Sequence, residues 1–142
     1  MIPDLLVTSS TKVAADFIRD MKSPVVIKPL NNKGGTGIIK TEIKDRHLSS
    51  HLALSTAQDT TKIMIQRYIP QNEQGDKRIL LLNGKVIGCF TRKPSKGDFR
   101  ANLSVGGTMH ASKLNKRDKQ IAERVGQECA RRGLYFVGLD VI

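Results

Sequence analysis

Lys28 ends the apolar run Val25-Val26-Ile27 and meets the glycine-rich stretch Asn31-Asn32-Lys33-Gly34-Gly35-Thr36-Gly37. An ammonium at such a position needs an anionic or polar partner. The amides of Gly34, Gly35 and Gly37 could hold phosphate oxygens at close backbone approach. The blander reading is a surface lysine followed by an ordinary turn, and residue types alone weigh the two about equally. The loop is neither a P-loop, since no Gly-Lys-Ser/Thr follows, nor a dinucleotide fingerprint, since a strand rather than a helix is expected next. A second concentration lies between 76 and 100, where Lys77, Arg78, Lys85, Arg92, Lys93, Lys96 and Arg100 face only Asp76 and Asp98. Arginine's planar fork suits phosphate and carboxylate oxygens, although a solvated basic face is the usual fate of such a run. Asp140 is the lone carboxylate in the closing apolar segment, and a buried acid there would need a cation, either a side chain or Mg2+. His47, His51 and His110 have no ligand spacing, and no Ser-His-Asp or Cys-His arrangement can be argued.

The elements that must position these residues follow from pattern. Ser10 and its neighbours Thr8 and Ser9 offer caps to a helix carrying Val13, Phe17 and Met21 on one stripe, ended by Ser23-Pro24. Strands are expected at Val25–Ile27, Ile38–Thr41 and Ile63–Ile69, with a weak helix near Leu48–Leu54 between the last two. Lys77–Leu82 and Lys85–Thr91 flank Asn83-Gly84, the preferred pair for a tight type I′ hairpin. Arg92 to Gly107 has no apolar period and reads as a long lid-like loop. Asn115 to Arg132 reads as a helix with Ile121, Val125 and Cys129 inward and Gly133 after it, and Tyr135–Ile142 reads as a strand. No internal repeat or linker is evident, so a single domain is expected.

Composition narrows the class. The 142 residues carry 24 Lys+Arg and 13 Asp+Glu, a formal charge of +11. That excess fits nucleic acid or a phosphate-bearing small ligand. Aromatic residues make up only 4% with no Trp, which disfavours a single-strand binder that stacks bases. No run approaches the roughly 18 apolar residues of a membrane span, and no signal-peptide pattern opens the chain, so a cytoplasmic protein with no membrane partner is expected. Cys89 and Cys129 form no CxxC and imply neither zinc nor a disulfide framework.

Taken in order, Leu6-Val7-Thr8, Ile27-Lys28-Pro29-Leu30, Lys33-Gly34-Gly35-Thr36-Gly37-Ile38, Gln66-Arg67-Tyr68-Ile69-Pro70, Gly75-Asp76-Lys77-Arg78, Asn102-Leu103 with Gly106-Gly107, and Phe136-Val137-Gly138-Leu139-Asp140 resemble the ATP-grasp domain of prokaryotic glutathione synthetase. The related ribosomal-protein glutamate ligases look similar through Gly97-Asp98-Phe99-Arg100 and Asn102-Leu103 and stand as the rival family, and a basic polyanion-binding module is the alternative of another class. The resemblance implies an α+β fold of ATP-grasp type, with glycine-loop strands and an antiparallel sheet packed by helices. It implies ATP-dependent ligation of γ-glutamylcysteine to glycine through an acyl phosphate, with Mg2+, and no nucleic-acid partner. By matching motif positions, Lys28 would neutralise ATP phosphates under a cover of Gly34, Gly35 and Gly37. Backbone groups around Gln66, Tyr68 and Ile69 would read adenine, and Asp76 would approach the ribose. Arg78 and Arg92 would stabilise the acyl phosphate, Arg100 and Asn102 would act from the lid, and Asp140 would hold Mg2+. The family chain is longer, with an amino-terminal domain, an earlier ATP-contacting lysine and a Glu-x-Asn metal segment after the residue matching Asp140. Residues 1–142 are therefore expected to form a partial ATP-grasp domain, weakly active or inactive alone, and the homo-oligomer implied for the family is left open for this chain.

Overall fold

The computed structural model describes residues 2–142, which divide into two compact units, one up to Pro70 and one from Gln71 onward. No linker-like composition marks the break.

The first unit runs β1 (Leu5–Thr8), α1 (Thr11–Met21), β2 (Val25–Pro29), β3 (Ile39–Thr41), α2 (Leu48–Ser55) and β4 (Ile63–Arg67). Its sheet has the order β1-β4-β2-β3, antiparallel throughout. Ser10 caps α1 by accepting the Val13 N–H at 3.3 Å, and Asp59 accepts the Thr11 N–H at 2.6 Å, so two amides of the first turn are satisfied. Lys22 closes the helix in the left-handed region, with Pro24 two residues on. Strand parity sends Val25 and Ile27 of β2 and Ile63 and Ile65 of β4 to one face, where they are fully buried against Ala14 and Ile18 of α1 and Leu48 and Leu52 of α2. Burying each large aliphatic side chain contributes roughly 1.5–3 kcal/mol, which fixes the sheet register. The same parity sends Val26, Lys28, Met64 and Gln66 to the face away from the helices.

A 3-10 turn over 70–74 spans the boundary, and the second unit then runs β5 (Asp76–Leu82), β6 (Lys85–Lys93), β7 (Thr108–Ala111), α3 (Lys116–Arg131) and β8 (Phe136–Val141), in the sheet order β7-β6-β5-β8. Asn83 and Gly84 both take positive φ, 47° and 76°, as a type I′ hairpin requires. Ile79 and Leu81 of β5 pack on Ala122 of α3, joined by Val137, Leu139 and Val141 of β8. The hairpin tip approaches α3 so closely that a Cβ on Gly126 would lie 2.2 Å from the Gly84 carbonyl oxygen. A capping box starts α3, with Asn115 accepting the Asp118 N–H and Asp118 accepting the Asn115 N–H. Lys77 of β5 donates to the same Asp118 carboxylate and, at 3.1 Å, to the Lys113 carbonyl, tying sheet to helix start. Burial pushes the Asp118 carboxyl up, but the Lys77 ammonium and the Asn115 amide outweigh it and hold the group below its ordinary value.

Two expectations change here. Strand β6 runs on to Lys93, so Arg92 lies in the sheet and not at the root of a loop. The stretch from 94 to 107 contains a 3-10 turn at Leu103–Val105, and the short strand β7 after it pairs with β6, a strand absent from the apolar pattern because all four of its residues are exposed.

Candidate functional site

In the second unit, α3 covers one face of the sheet, and the chemistry lies on the other. Counting along β5, Lys77, Ile79 and Leu81 point to α3, so Asp76, Arg78 and Leu80 point away. Asp140 of β8 stands opposite Arg78, and Arg92 of β6 stands opposite Asp76. The second pairing depends on a one-residue irregularity. Leu82 pairs with Lys85 and Leu81 with Val86, but Leu80 pairs with Gly88, leaving Ile87 as the extra residue of a β-bulge. Without it, Asp76 would pair with Thr91 and Arg92 would turn toward α3.

These four side chains form a chain of alternating charge. Arg92 Nε donates to Asp76 Oδ1 at 2.8 Å and its Nη2 to Asp76 Oδ2, a bidentate pair in which both residues are buried, with 7% and 8% exposure. The same Nη2 lies 2.9 Å from Asp140 Oδ2. Arg78 closes the series with Nε and Nη2 on the two Asp140 oxygens, Nη2 at 2.7 Å. Hydrogen bonding to Asp76, reinforced by the charge of Asp140, raises the Arg92 pKa against the opposing effect of burial. Gly138, on the same face as Asp140, makes room for this: a Cβ there would come within 3.1 Å of the Arg78 side chain.

Asp140 departs from its expected environment. Its side chain is 41% exposed and is neutralised by two arginines, because β8 buries only its Val137, Leu139 and Val141 face. The expected Mg2+ role tests poorly against the residues present. Among the described residues no group of three His, Cys, Asp or Glu side chains is placed to hold a metal. Mg2+ takes six oxygens in near-octahedral array, and Asp140 offers one carboxylate already bonded by Arg78 and Arg92. These residues do not by themselves fit a Mg2+ site.

Arg100 belongs to a separate pair, donating from Nε and Nη2 to Asp98, with Nη2–Oδ2 at 2.7 Å, while its own amide donates to Asp98 Oδ1 at 2.8 Å. The Arg100 side chain and amide together lower the Asp98 pKa to about 2. Asn72 pins this segment through the Phe99 carbonyl at 2.8 Å. Asn102 precedes the 3-10 turn in extended conformation, and its carbonyl accepts from the amides of Val105 and Gly107, each at 3.1 Å.

In the first unit, the face away from the helices carries Lys28 and Gln66, joined by Lys28 Nζ to Gln66 Oε1 at 2.6 Å. Gly34, Gly35 and Gly37 all take positive φ, at 69°, 84° and 75°, so the loop after β2 adopts turns that a side chain would strain. Tyr68, directly after β4, is buried, its N–H donates to the Pro24 carbonyl at 2.9 Å, and Ile69 follows it. Lys40 of β3 places its ammonium 3.7 Å from the centre of the Tyr68 ring. The sequence pattern marked Lys40 only as part of a strand, and Asp98 and Gly138 only as members of longer stretches with no role of their own. The signal for Lys40 was strand parity, which sets it opposite Val26 on the Lys28 face.

Two antiparallel sheets, one with a strand lysine and a glycine loop between β2 and β3, the other bearing two arginines and two aspartates on the face away from α3, fit the ATP-grasp class. Solved structures agree: the D-cycloserine synthetase DcsG superposes with a TM-score of 0.69 at 13% identity, covering 99% of this chain and 52% of that one. D-alanine–D-alanine ligase from Bacillus anthracis gives 0.67 at 17%, covering 98% and 46%. The chain belongs to the prokaryotic glutathione synthetase ATP-grasp domain family, whose model matches residues 1–142. It is 40% identical over 142 residues to glutathione synthetase of Thermosynechococcus vestitus, all of this chain and 44% of the relative, and 42% identical over 141 residues to that of Neisseria meningitidis, 99% of this chain and 44% of the relative. The chain thus spans less than half the length of these relatives. Among the described residues no helix is long and apolar enough to cross a membrane.

Proposed function

We propose that this chain supplies the nucleotide- and phosphate-binding groups of an ATP-dependent carboxylate–amine ligase that joins γ-glutamylcysteine to glycine through an acyl phosphate, releasing ADP and phosphate. The observation that carries the reading is the placement of Arg78 and Arg92 on one sheet face with their guanidiniums held by Asp76 and Asp140.

In this chemistry a substrate carboxylate attacks the γ-phosphorus of ATP, and an amine then displaces phosphate from the acyl phosphate. Negative charge shifts among phosphoryl oxygens in the first step and onto the departing phosphate in the second, so fixed cations lower both barriers. Arg78 and Arg92 are such cations, and their bidentate forks match phosphoryl oxygens. Asp140 lies between them and pairs with both guanidiniums on that face. Lys28, on strand β2 ahead of the glycine loop, neutralises nucleotide phosphate, and the loop of Gly34, Gly35 and Gly37 covers it. Arg100 and Asn102 act from the segment between β6 and β7. The backbone at the end of β4 and just beyond it, from Gln66 to Ile69, offers the hydrogen-bonding groups for adenine. A Mg2+ ion would need oxygen ligands beyond Asp140.

A thermal-shift titration separates this reading from polyanion binding. ATP with Mg2+ should raise the melting temperature of the chain in a saturable way, and Lys28→Ala should abolish the rise. Tight, salt-sensitive RNA binding with no nucleotide-induced shift would refute it.

A further inference from the structure

The Asp76–Arg92 pair goes beyond the roles assigned so far. Both oxygens of Asp76 are engaged by the Arg92 guanidinium, the two residues are register partners, and both are buried. Resting on the nucleotide-binding reading above, we propose that Asp76 is a positioning residue that fixes the plane of the Arg92 guanidinium for a phosphoryl oxygen, and not a contact to the nucleotide's ribose.

The geometry argues this in three steps. A carboxylate bound side-on by an arginine fork sets the plane of that fork, because two parallel N–H···O bonds exclude rotation about the last side-chain bonds. Arg92 Nη2 then reaches toward Asp140, which lies between Arg92 and Arg78 and is the more exposed carboxylate, with 41% of its side chain open against 11% for Asp76. An incoming phosphate can therefore replace Asp140 as the Nη2 acceptor without disturbing the buried pair. Finally, Asp76 is only 8% exposed and both its oxygens already accept from Arg92, so a ribose hydroxyl would have to reach an occluded carboxylate, and leaving either buried charge unpaired is costly.

The test uses the whole 142-residue chain and reads the arginine itself. In nitrogen-15 side-chain NMR, Arg92 of the wild type should show separate, slowly exchanging Nη signals, and Asp76→Asn should merge them through rotation. Affinity for inorganic triphosphate should fall about tenfold in Asp76→Asn, the size expected for one charge-assisted hydrogen bond. The ratio of affinities for ATP and 2′-deoxy-ATP should be the same in both proteins. Unchanged Arg92 signals with unchanged triphosphate affinity would overturn the proposal, as would a collapse of that ratio toward one, which would make Asp76 a ribose contact. If Asp76→Asn does not fold, Asp76→Glu decides, since restoring the carboxylate should restore slow Nη exchange together with triphosphate affinity, and affinity restored without it would contradict the mechanism. A wild type that binds neither triphosphate nor ATP would refute the nucleotide-binding reading, while the Arg92 signals would still report whether Asp76 fixes the guanidinium.

Discussion

Arg78 on β5 and Asp140 on β8 stand directly opposite one another, and the guanidinium donates to both carboxylate oxygens across the strand boundary. This pair is half-exposed, whereas Arg92–Asp76 beside it is buried. The two arginines should therefore separate when removed. Arg78→Ala should cost at most about 1 kcal/mol of folding stability, the range of exposed ion pairs. Arg92→Ala leaves Asp76 buried and uncompensated and should cost about 3 kcal/mol. Urea denaturation of both variants checks the contrast, and equal losses would contradict the assigned burial roles.

The bulge at Ile87 sets which way Arg92 faces. Deleting Ile87, which is 56% exposed and has no part in the core, removes only the unpaired residue, so Leu80 should still oppose Gly88 and Asp76 should still oppose Arg92, with ATP affinity kept. Deleting Ile87 and Gly88 together should shift the ladder by one residue, place Arg92 opposite Lys77 on the α3 face, and lower ATP affinity at least as far as Arg92→Ala. Equal affinity in the two deletions would refute the register argument.

Gly126 lies inside α3, where glycine normally costs about 1 kcal/mol relative to alanine. Here the sign should reverse, because the alanine methyl would meet the Gly84 carbonyl at 2.2 Å and lift the hairpin from the helix. Gly126→Ala should lower the melting temperature, with a cost of about 1–3 kcal/mol from overpacking. An increase in melting temperature would show that the hairpin tip yields freely.

Asp98 has its pKa lowered to about 2 by Arg100, so its contribution to stability has a defined pH window. A carboxyl depressed in the folded state stabilises fully above its unfolded value near 3.9, and that contribution is lost as pH falls through about 2. A carbon-13 carboxyl titration should place the Asp98 midpoint near 2 and return it toward the ordinary range in Arg100→Ala. A midpoint indifferent to that substitution would sink the pairing.

Much of this arrangement was legible from residue order. The hairpin at Asn83-Gly84, the apolar strand ending in Lys28, the glycine loop and the helix bounded by Asn115 and Gly133 all follow from local chemistry. Turn preference, β-branching and capping act within a few residues. The site itself was readable only as a set of residues. That Arg92 faces Asp76 depends on the bulge at Ile87, and nothing but the adjacent Gly88 hints at it. Asp140 was expected to be buried because its neighbours are apolar, yet β8 covers one face only, so every second residue stays open. Strand β7 was invisible because Thr108, Met109, His110 and Ala111 bury no side chain, and only pairing to β6 makes them a strand.

The most direct test of the account is a calorimetric titration of the 142-residue chain with ATP in the presence of Mg2+, run for the wild type, Lys28→Ala and Arg78→Ala. The account predicts saturable binding by the wild type and at least about a tenfold loss in each variant, since each removes one charge-assisted contact to phosphate. Wild-type affinity retained in both variants would contradict it.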